Sequence, residues 1–452
     1  MQARNSDLRD LLRSGLTRSL ASLGIKVATA GLTYGMYVVL SRTMGAEEYG
    51  YFAFGLSLAT LLAVGAGMGQ QTAILRYWPE EQVAGRPEKS LEAVGAGGAL
   101  TLLAGGAISL LLLAFAALAG LWPGVATAHL FAAAALIAPL ALAEYWSSAL
   151  RAQGSVWTAL LPRDILWRLA TPVLVVLLFA AAIPLSGWAA LLLTALVLVA
   201  ALGLQAIVAH RRRYAVAPRT GGVASYWRAH GTPTIWFLIG TVIDSAALNA
   251  DIIFIGLLLS AQDAGVYFNA FRTAGLLTLF MFAINLVLAP VFARHYHAGE
   301  WRKAQAISAL TAWSGFVFSV AVFALFAMFG NEVLSLFGTP AGSGYWALVL
   351  LSAGLLFDAA TGPSRIVMMM TGHERDYVRI FGGIMLAGLV VGLVVIPVFG
   401  LVGAAAVNAV ARAVASSAIA LFNRRHVGID TSLLGAFRVQ RLRDASPGAA
   451  VT

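Results

Sequence analysis

The sequence predicts an all-α polytopic membrane protein, with about twelve transmembrane helices in two lobes of six helices each. Three observations support this fold class. Hydrophobic residues make up 60% of the 452-residue chain and charged residues only 11%, whereas soluble domains carry about 25% charged residues. Apolar runs of about 18 or more residues recur from end to end. Short segments of the first half also recur, in the same order, in the second half.

Each apolar run is long enough to cross a membrane as a helix. At a rise of about 1.5 Å per residue, about 20 residues cover the roughly 30 Å hydrocarbon core. Helices are required because a backbone exposed to lipid must satisfy its own hydrogen bonds. An even number of spans puts both termini on one side. We predict spans at about 24–40, 51–69, 94–118, 129–146, 169–185, 188–209, 234–259, 266–292, 304–328, 345–370, 380–397 and 401–422.

The distribution of Lys and Arg predicts the orientation in the membrane. Of the 30 Lys and Arg residues, 25 fall in the termini and loops of one side, 1 on the other side and 4 within spans. The positive-inside rule makes the basic side cytoplasmic. We therefore expect both termini in the cytoplasm and the protein in the bacterial inner membrane. Topology then explains the net charge of +10, and no nucleic-acid partner is expected.

The composition also excludes several kinds of chemistry. The chain has no cysteine, which excludes disulfides, thiolate metal sites and cysteine nucleophiles. Its 7 histidines form no HxxxH pair, and no GxxxxGK[ST] motif for ATP is present. The loops on the external side are too short for a catalytic domain. We therefore predict no enzymatic activity, no catalytic residue, no metal and no cofactor, leaving open coupling to H⁺ or Na⁺.

An internal repeat supports the two lobes. Gly50-Tyr51-Phe52-Ala53-Phe54 resembles Gly265-Val266-Tyr267-Phe268-Asn269-Ala270-Phe271, and three further pairs of short segments follow at offsets of 213 to 218 residues. These pairs include the turns at Gly154 and Gly372 and the helix ends at Pro184 and Pro397. Parallel repeats of this kind are a transporter architecture, with the binding site between the lobes near the bilayer midplane.

The repeat and the basic segments divide the chain into five parts. We predict an amphipathic cytoplasmic segment at 1–23, with leucines at helical spacing beside arginines, which is typical of an interfacial helix. An N-lobe at 24–209 follows, then a basic cytoplasmic linker at 210–232, a C-lobe at 233–422 and a cytoplasmic tail at 423–452.

The charged residues inside the spans are the candidate functional groups. A charge at the bilayer centre costs at least about 2.5–3.5 kcal/mol, so each should face protein or water. Cations suit an anionic head group because arginine makes bidentate contacts with phosphate. Snorkelling to the interface is an alternative role for Lys26 and Arg412. The predicted cations are Lys26, Arg272, Arg365 and Arg412, and the predicted carboxylates, for charge balance or ion coupling, are Asp244, Asp251, Asp358 and Glu144.

The tenth span has the most informative pattern. Asp358 and Arg365 are seven residues apart, which places them on one helix face two turns apart. Between them, Pro363 in Thr361-Gly362-Pro363 removes a helical hydrogen bond and predicts a kink or a broken helix, a feature that often marks transporter sites. The alternative is that Asp358 neutralises Arg365 only to hold the bundle together.

A motif near the second span carries a family resemblance. Leu40-Ser41-Arg42-Thr43-Met44-Gly45-Ala46-Glu47-Glu48-Tyr49-Gly50-Tyr51-Phe52-Ala53 resembles the LG-x-x-x-YG-x-F-A signature of Wzx-type polysaccharide flippases, with Met44 where leucine is usual. That family belongs to the MOP superfamily, together with the MATE exporters and the lipid II flippases. The resemblance implies two six-helix lobes around a central cavity that opens alternately to either side.

The resemblance further implies a function. It predicts a flippase that moves oligosaccharide repeat units, linked to undecaprenyl pyrophosphate, from the inner to the outer leaflet for lipopolysaccharide or exopolysaccharide synthesis. The expected partners are this lipid-linked oligosaccharide and membrane lipid, with a polysaccharide polymerase and a chain-length regulator as candidate protein partners. Lys26, Arg272 and Arg365 would hold the pyrophosphate. The alternatives are a MATE-like H⁺ or Na⁺ antiporter of small cations, a membrane polysaccharide polymerase or ligase, and a non-transporting scaffold.

Overall fold

The computed structural model describes residues 24, 27–121, 127–338, 340 and 342–437, and the regular secondary structure of these residues is helical. A π-helical turn joins α6 to α7, and a 3₁₀ turn joins α10 to α11. The helices are α1 (27–43), α2 (Ala46–Ala66), α3 (Gln70–Val83), α4 (Pro87–Ala119), α5 (Ala128–Ala152), α6 (Val156–Leu160), α7 (Trp167–Ala180), α8 (Gly187–Arg211), α9 (Val223–Leu258), α10 (Ala261–Ala274), α11 (Thr278–His297), α12 (Trp301–Ser335), α13 (Tyr345–Ala360), α14 (Ser364–Met370) and α15 (Glu374–Phe422).

Helices lie over every predicted span. Within the described part of the chain, 7 helices are long and apolar enough to cross a membrane, or 8 if the bent pair α13 and α14 forms one span. The predicted boundary between the last two spans coincides with a break inside α15, where Gly400 has a φ of 60° and a ψ of −144°. The total of about twelve spans and the side of the termini stay predictions.

Two helices begin earlier than the sequence predicts. Over the fifth predicted span, 169–185, the helical segment made of α6, the π-helical turn and α7 starts at Val156 and ends at Ala180. Helix α9 starts at Val223, so the last part of the predicted linker 210–232 is helical. Hydropathy marks only the membrane-crossing stretch of a helix, and both helical segments continue beyond it, the one before residue 167 through the π-helical turn that contains Pro162. The predicted segment 1–23 and Lys26 lie outside the described residues.

Two compact units make up the chain, Met1–Val266 and Tyr267–Thr452. The division into two lobes, at 24–209 and 233–422, comes from the internal repeat and stays a prediction. In the first unit, α2 packs against α5, α8 and α9, and α5 also packs against α4. Small residues permit this close packing, as expected for helices in a membrane. For example, a Cβ on Gly105 of α4 would lie 3.1 Å from the Cα of Ala138 on α5.

The glycine of the YG motif has a steric role in the first unit. A Cβ on Gly50 would lie 1.9 Å from the carbonyl oxygen of Ala261. The backbone of α2 therefore contacts the start of α10 directly, and only glycine fits there. On the preceding turn, Glu48 accepts a hydrogen bond from the backbone N–H of Gly187 at 2.6 Å, which places a carboxylate at the N-terminus of α8.

The second unit repeats this use of small residues. Helix α13 packs against α12 and α15, and α14 packs against α11 and α15. A Cβ on Gly354 of α13 would lie 2.8 Å from the Cα of Ala409 on α15. The turns at Gly154 and Gly372 both have a left-handed φ, of 88° and 81°. The predicted correspondence between these two turns therefore extends to their backbone conformation.

We predict that Gly50→Ala destabilises the protein by about 1–3 kcal/mol or more, because the added methyl group would overlap backbone atoms that cannot rotate away. Thermal unfolding of the detergent-solubilised protein measures the effect. Gly35→Ala is the matched control, since no atom of the described residues lies within 4 Å of a Cβ on Gly35 and alanine favours a helix. Equal melting temperatures for the Gly50→Ala variant and the wild type would contradict the steric role.

Candidate functional site

A cavity of about 270 Å³ lies inside the second unit, and we call it the C-unit cavity. Its walls come from α11 to α15 and the 3₁₀ turn before α11. It brings together three of the predicted charged residues, Asp358, Arg365 and Arg412. The remaining lining residues are Leu277, Thr278, Met281, Asn285, Ser319, Leu355, Ala359, Gly362, Pro363, Ser364, Ile366, Tyr377, Phe381, Ser416 and Ile419.

A broken helix forms one wall of this cavity, as the sequence predicts. Helix α13 ends at Ala360 and α14 starts at Ser364, and the two helices meet at an angle of 47°. Gly362 in the break has a φ of 68°, which is a left-handed conformation that glycine adopts at little cost. Asp358 lies one turn before the break and Arg365 directly after it, so the break sets where both charges enter the cavity.

The charged groups of the C-unit cavity have different partners. Asp358 accepts a hydrogen bond from the Ser416 hydroxyl at 2.5 Å. The guanidinium of Arg365 lies over the ring of Tyr377, 5.1 Å from its centroid, which is a cation–π geometry. With Arg412, the described residues of the cavity lining carry two formal positive charges and one negative charge. An anionic ligand would balance this charge.

Neutral polar groups line the same cavity. The side-chain oxygen of Asn285 is buried and has no hydrogen-bond partner, and Ser319 on α12 is 1% exposed. An unsatisfied amide oxygen in an apolar surrounding costs free energy that a donor from a ligand or water would recover. Hydroxyl groups of a ligand are donors of this kind. The lining can therefore contact both a charged and a hydroxylated part of one ligand.

The other predicted residues lie elsewhere. Arg272 belongs to α10, with its guanidinium 4.8 Å from the centroid of the Phe268 ring, and it is not among the residues that line the C-unit cavity. Asp244 and Asp251 lie on α9 of the first unit, and both are half-buried. Glu144, the last of the predicted carboxylates, lies on α5 of the first unit. It belongs to a group of charged residues whose other members are not predicted from the sequence.

This group, which we call the N-unit charge cluster, consists of Glu144, Arg163, Asp164 and Arg168. Arg163 forms an ion pair with Glu144 and lies 3.5 Å from Asp164. Arg168 lies 3.7 Å from Asp164, and its guanidinium is 4.5 Å from the ring centroid of Trp167. Asp164 is only 1% exposed. Each buried charge of the cluster thus has an opposite charge beside it, as burial requires.

A π-helical turn carries two residues of the N-unit charge cluster, Arg163 and Asp164. Residues Leu161–Leu166 form the turn, and beyond it the Trp167 indole donates to the carbonyl oxygen of Arg163. Arg168 also donates to that carbonyl oxygen, at 2.8 Å. Isolated π turns occur frequently at functional sites. The predicted fifth span begins at residue 169, which leaves Arg163, Asp164 and Arg168 in a predicted loop, whereas Glu144 lies in the predicted fourth span. Their helical spacing, with Asp164 four residues before Arg168, was the signal that would have identified them.

Comparison with known families gives one match. The model of a family described as polysaccharide biosynthesis protein matches residues 16–296. A search of curated proteins gives no match.

Solved structures with the same fold are MATE and MOP transporters. An inward-facing multidrug resistance MATE transporter of the MOP superfamily is 17% identical, with a TM-score of 0.69, and the match covers 95% of this chain and 99% of that one. Its outward-facing counterpart has a TM-score of 0.62 at 17% identity, with 95% and 96% covered. A MOP superfamily transporter from Pyrococcus furiosus Vc1, whose description reports reversed polarity of the binding pocket and suggests a different function, has a TM-score of 0.59 at 17% identity, with 95% and 96% covered.

These matches confirm the predicted all-helical, MATE-like fold. The family and the fold neighbours are transporters rather than enzymes, so the alternative of a polymerase or ligase is not supported.

We predict that Asp164→Asn destabilises the protein by about 3–5 kcal/mol, because it leaves Arg163 and Arg168 buried without their shared carboxylate. Thermal unfolding in detergent measures the loss. Asp376→Asn is the control, because Asp376 forms an exposed pair with Arg379 and such pairs contribute about 1 kcal/mol or less. A loss as small as that of the control would show that Asp164 does not hold the cluster together.

Proposed function

We propose that this chain, which belongs to the family of polysaccharide biosynthesis proteins, is a flippase for lipid-linked oligosaccharides. It is a multi-pass membrane protein with a transporter fold. In this proposal it moves repeat units on an undecaprenyl pyrophosphate carrier from the cytoplasmic to the outer leaflet of the bacterial inner membrane. The product would feed lipopolysaccharide or exopolysaccharide assembly, with a polymerase and a chain-length regulator as partners.

The observation that carries this proposal is the excess of positive charge in the C-unit cavity. Arg365 and Arg412 face a single carboxylate, Asp358. Arginine binds phosphate oxygens through two parallel hydrogen bonds, and its charge does not depend on pH in the physiological range. A pyrophosphate would thus be attracted to both arginines, and the polyprenyl tail would stay in lipid. The description of the Pyrococcus furiosus transporter links the polarity of its pocket to its function, which is consistent with reading function from cavity charge.

The membrane potential supplies a driving force for this direction of transport. With the inside negative, outward movement of an anion is favoured by about 2.3 kcal/mol per charge per 100 mV. A flip driven in this way requires no ATP. The carboxylates Asp244, Asp251 and Asp358, and Glu144 in the N-unit charge cluster, would balance charge or bind a coupling H⁺ or Na⁺. In an alternating-access cycle, the hinge between α13 and α14 is the element of the second unit best placed to move Arg365.

One observation favours a second candidate function, a cation antiporter. Asp358 lines the cavity with a hydroxyl donor on its carboxylate, and multidrug MATE transporters share the fold. In an antiporter, Asp358 would bind H⁺ or Na⁺ and a cationic substrate in exchange. The two arginines beside it would repel such a substrate, so we place this candidate second.

We predict that Arg365→Ala and Arg412→Ala each reduce clearance of cytoplasmic lipid-linked oligosaccharide by about 10- to 100-fold, the equivalent of one charged hydrogen bond. The measurement is accumulation of carrier-linked sugar in cells that lack the protein, complemented with each variant at equal membrane levels. Arg379→Ala is the matched control, since Arg379 is 68% exposed and pairs with Asp376. If cells without the protein accumulate no carrier-linked sugar, the flippase proposal fails.

Asp358→Asn separates the two candidates. For a flippase driven by the membrane potential, loss of this negative charge leaves the cavity more positive, and we expect clearance of lipid-linked sugar to persist at about one tenth of the wild-type rate or more. For an antiporter, the same change removes the ion site and abolishes exchange. Proton-driven efflux of a cationic dye from everted vesicles, abolished by Asp358→Asn, would favour the antiporter.

A further inference from the structure

The predicted cytoplasmic tail begins with a segment that packs back into the second unit. We call residues 428–433 the C-terminal strap. Ile429 is 1% exposed and Thr431 is fully buried. Ile429 packs in a cluster with Leu288, Phe292 and Val367. Residues so deeply buried are part of the folded unit, and what they contact indicates what they do.

The strap contacts the broken helix at the edge of the C-unit cavity. In an uninterrupted helix the N–H of Ser364 would donate to the carbonyl of Ala360. Here the N–H of Ser364 turns to the Gly362 carbonyl at 2.8 Å, and the N–H of Leu433 in the strap donates to Ala360 at 3.1 Å. The strap therefore supplies the hydrogen bond that the break removes from α13, where an unpaired carbonyl would be costly.

Two further contacts hold the start of α14. The hydroxyls of Thr431 and Ser364 are 2.6 Å apart, and Ser364 donates onward to the Thr361 carbonyl at 2.7 Å. A Cβ on Gly362 would lie 2.1 Å from the Thr431 carbonyl oxygen. The strap thus contacts Ala360 before the break and Ser364 after it. Arg365 directly follows Ser364 in α14.

A glutamine clamp anchors the strap. The side chain of Gln305 on α12 is 1% exposed. Its amide nitrogen donates to the Asp430 carbonyl at 2.6 Å, and its amide oxygen accepts from the Asp430 N–H at 2.8 Å. The pair of bonds fixes the strap against α12 as a neighbouring strand would be fixed in a sheet.

The first unit contains the same device without a broken helix. Gln153 forms the equivalent pair of bonds with Ala215, both at 2.8 Å. Ala215 and Asp430 are separated by 215 residues, the same offset as between Gly50 and Gly265. Helix α5 continues to Ala152 without a break, so the clamp of the first unit bridges no interruption. The clamped segment of the first unit lines a cavity of about 210 Å³, whereas the strap of the second unit contacts the broken helix.

We propose that the C-terminal strap positions the broken helix and, through it, Arg365 in the C-unit cavity, with Gln305 and Thr431 as the positioning residues. The proposal rests on the proposed function for its transport consequence, because the strap would hold the arginine that contacts the anionic group of the substrate. The placement of α14 itself does not depend on what the cavity binds.

The absence of native cysteine permits a direct test. Ile366 lines the cavity next to Arg365, so an Ile366→Cys variant reports the placement of α14 through its rate of labelling by N-ethylmaleimide in native membranes. We expect Thr431→Val and Gln305→Glu each to change that rate by about fivefold or more, since each breaks a buried hydrogen bond. Thr431→Ser keeps the hydroxyl and should leave the rate within about twofold of the parent.

Two controls separate positioning from general damage. Gln153→Glu breaks the matching clamp in the first unit and should leave labelling of the Ile366→Cys variant unchanged. A Leu58→Cys variant reports on a separate cavity in the first unit, and Thr431→Val and Gln305→Glu should not alter its labelling. If Gln305→Glu prevents insertion into the membrane, the nearly isosteric Thr431→Val decides the test. Labelling unchanged by Thr431→Val overturns the proposal.

The labelling test of the strap and the clearance test of the proposed function can fail independently of each other. If labelling changes as expected but wild-type protein clears no lipid-linked sugar, the flippase proposal fails and the strap's role stands. If clearance is confirmed but labelling does not change, the strap's role fails alone. If both stand, Thr431→Val should lower clearance and Thr431→Ser should restore it.

Discussion

The structure depends on one constraint, that backbone hydrogen bonds in a membrane must be made within the protein. Most of the chain meets it with long helices whose bonds are internal. Where a helix is interrupted, another part of the chain must supply the missing partner. The interruption after Ala360 is the clearest case, because the N–H of Leu433 takes the place of the helical donor. A functional break in a helix therefore requires a distant segment of sequence to accompany it.

Burying a charge without a partner costs free energy, just as burying an unpaired backbone group does. This cost explains why the charged residues occur in groups. The N-unit charge cluster pairs Asp164 with Arg163 and Arg168, and Glu144 with Arg163, so its charges compensate one another. The C-unit cavity has an excess of positive charge and a volume of about 270 Å³. A cluster of closely paired charges can be purely structural, whereas charged groups that line a cavity can also contact a ligand. This difference is the physical basis for proposing the second unit as the site of the substrate's anionic group.

The internal repeat is visible in small structural devices. Left-handed turns recur at Gly154 and Gly372. The segments after the sixth predicted span of each half are both clamped by a glutamine side chain, although Gln153 and Gln305 come from helices that do not correspond in the repeat. The helices beside these devices differ, because α5 is continuous and the tenth predicted span is broken. The broken helix of the second unit is one of the elements that line the C-unit cavity.

The sequence itself contains three signals, which are the hydropathy, the placement of Lys and Arg, and the family motif. The class of fold, the approximate spans and the break at Pro363 could also be predicted from the sequence. These features are local along the chain, since each depends on residues within about 20 positions of one another. The grouping of Asp358 with Arg412, the cluster around Asp164 and the contact of Thr431 with Ser364 were not readable. Each joins residues from different helices or from a terminal segment, and only the packing of helix faces decides which of these meet.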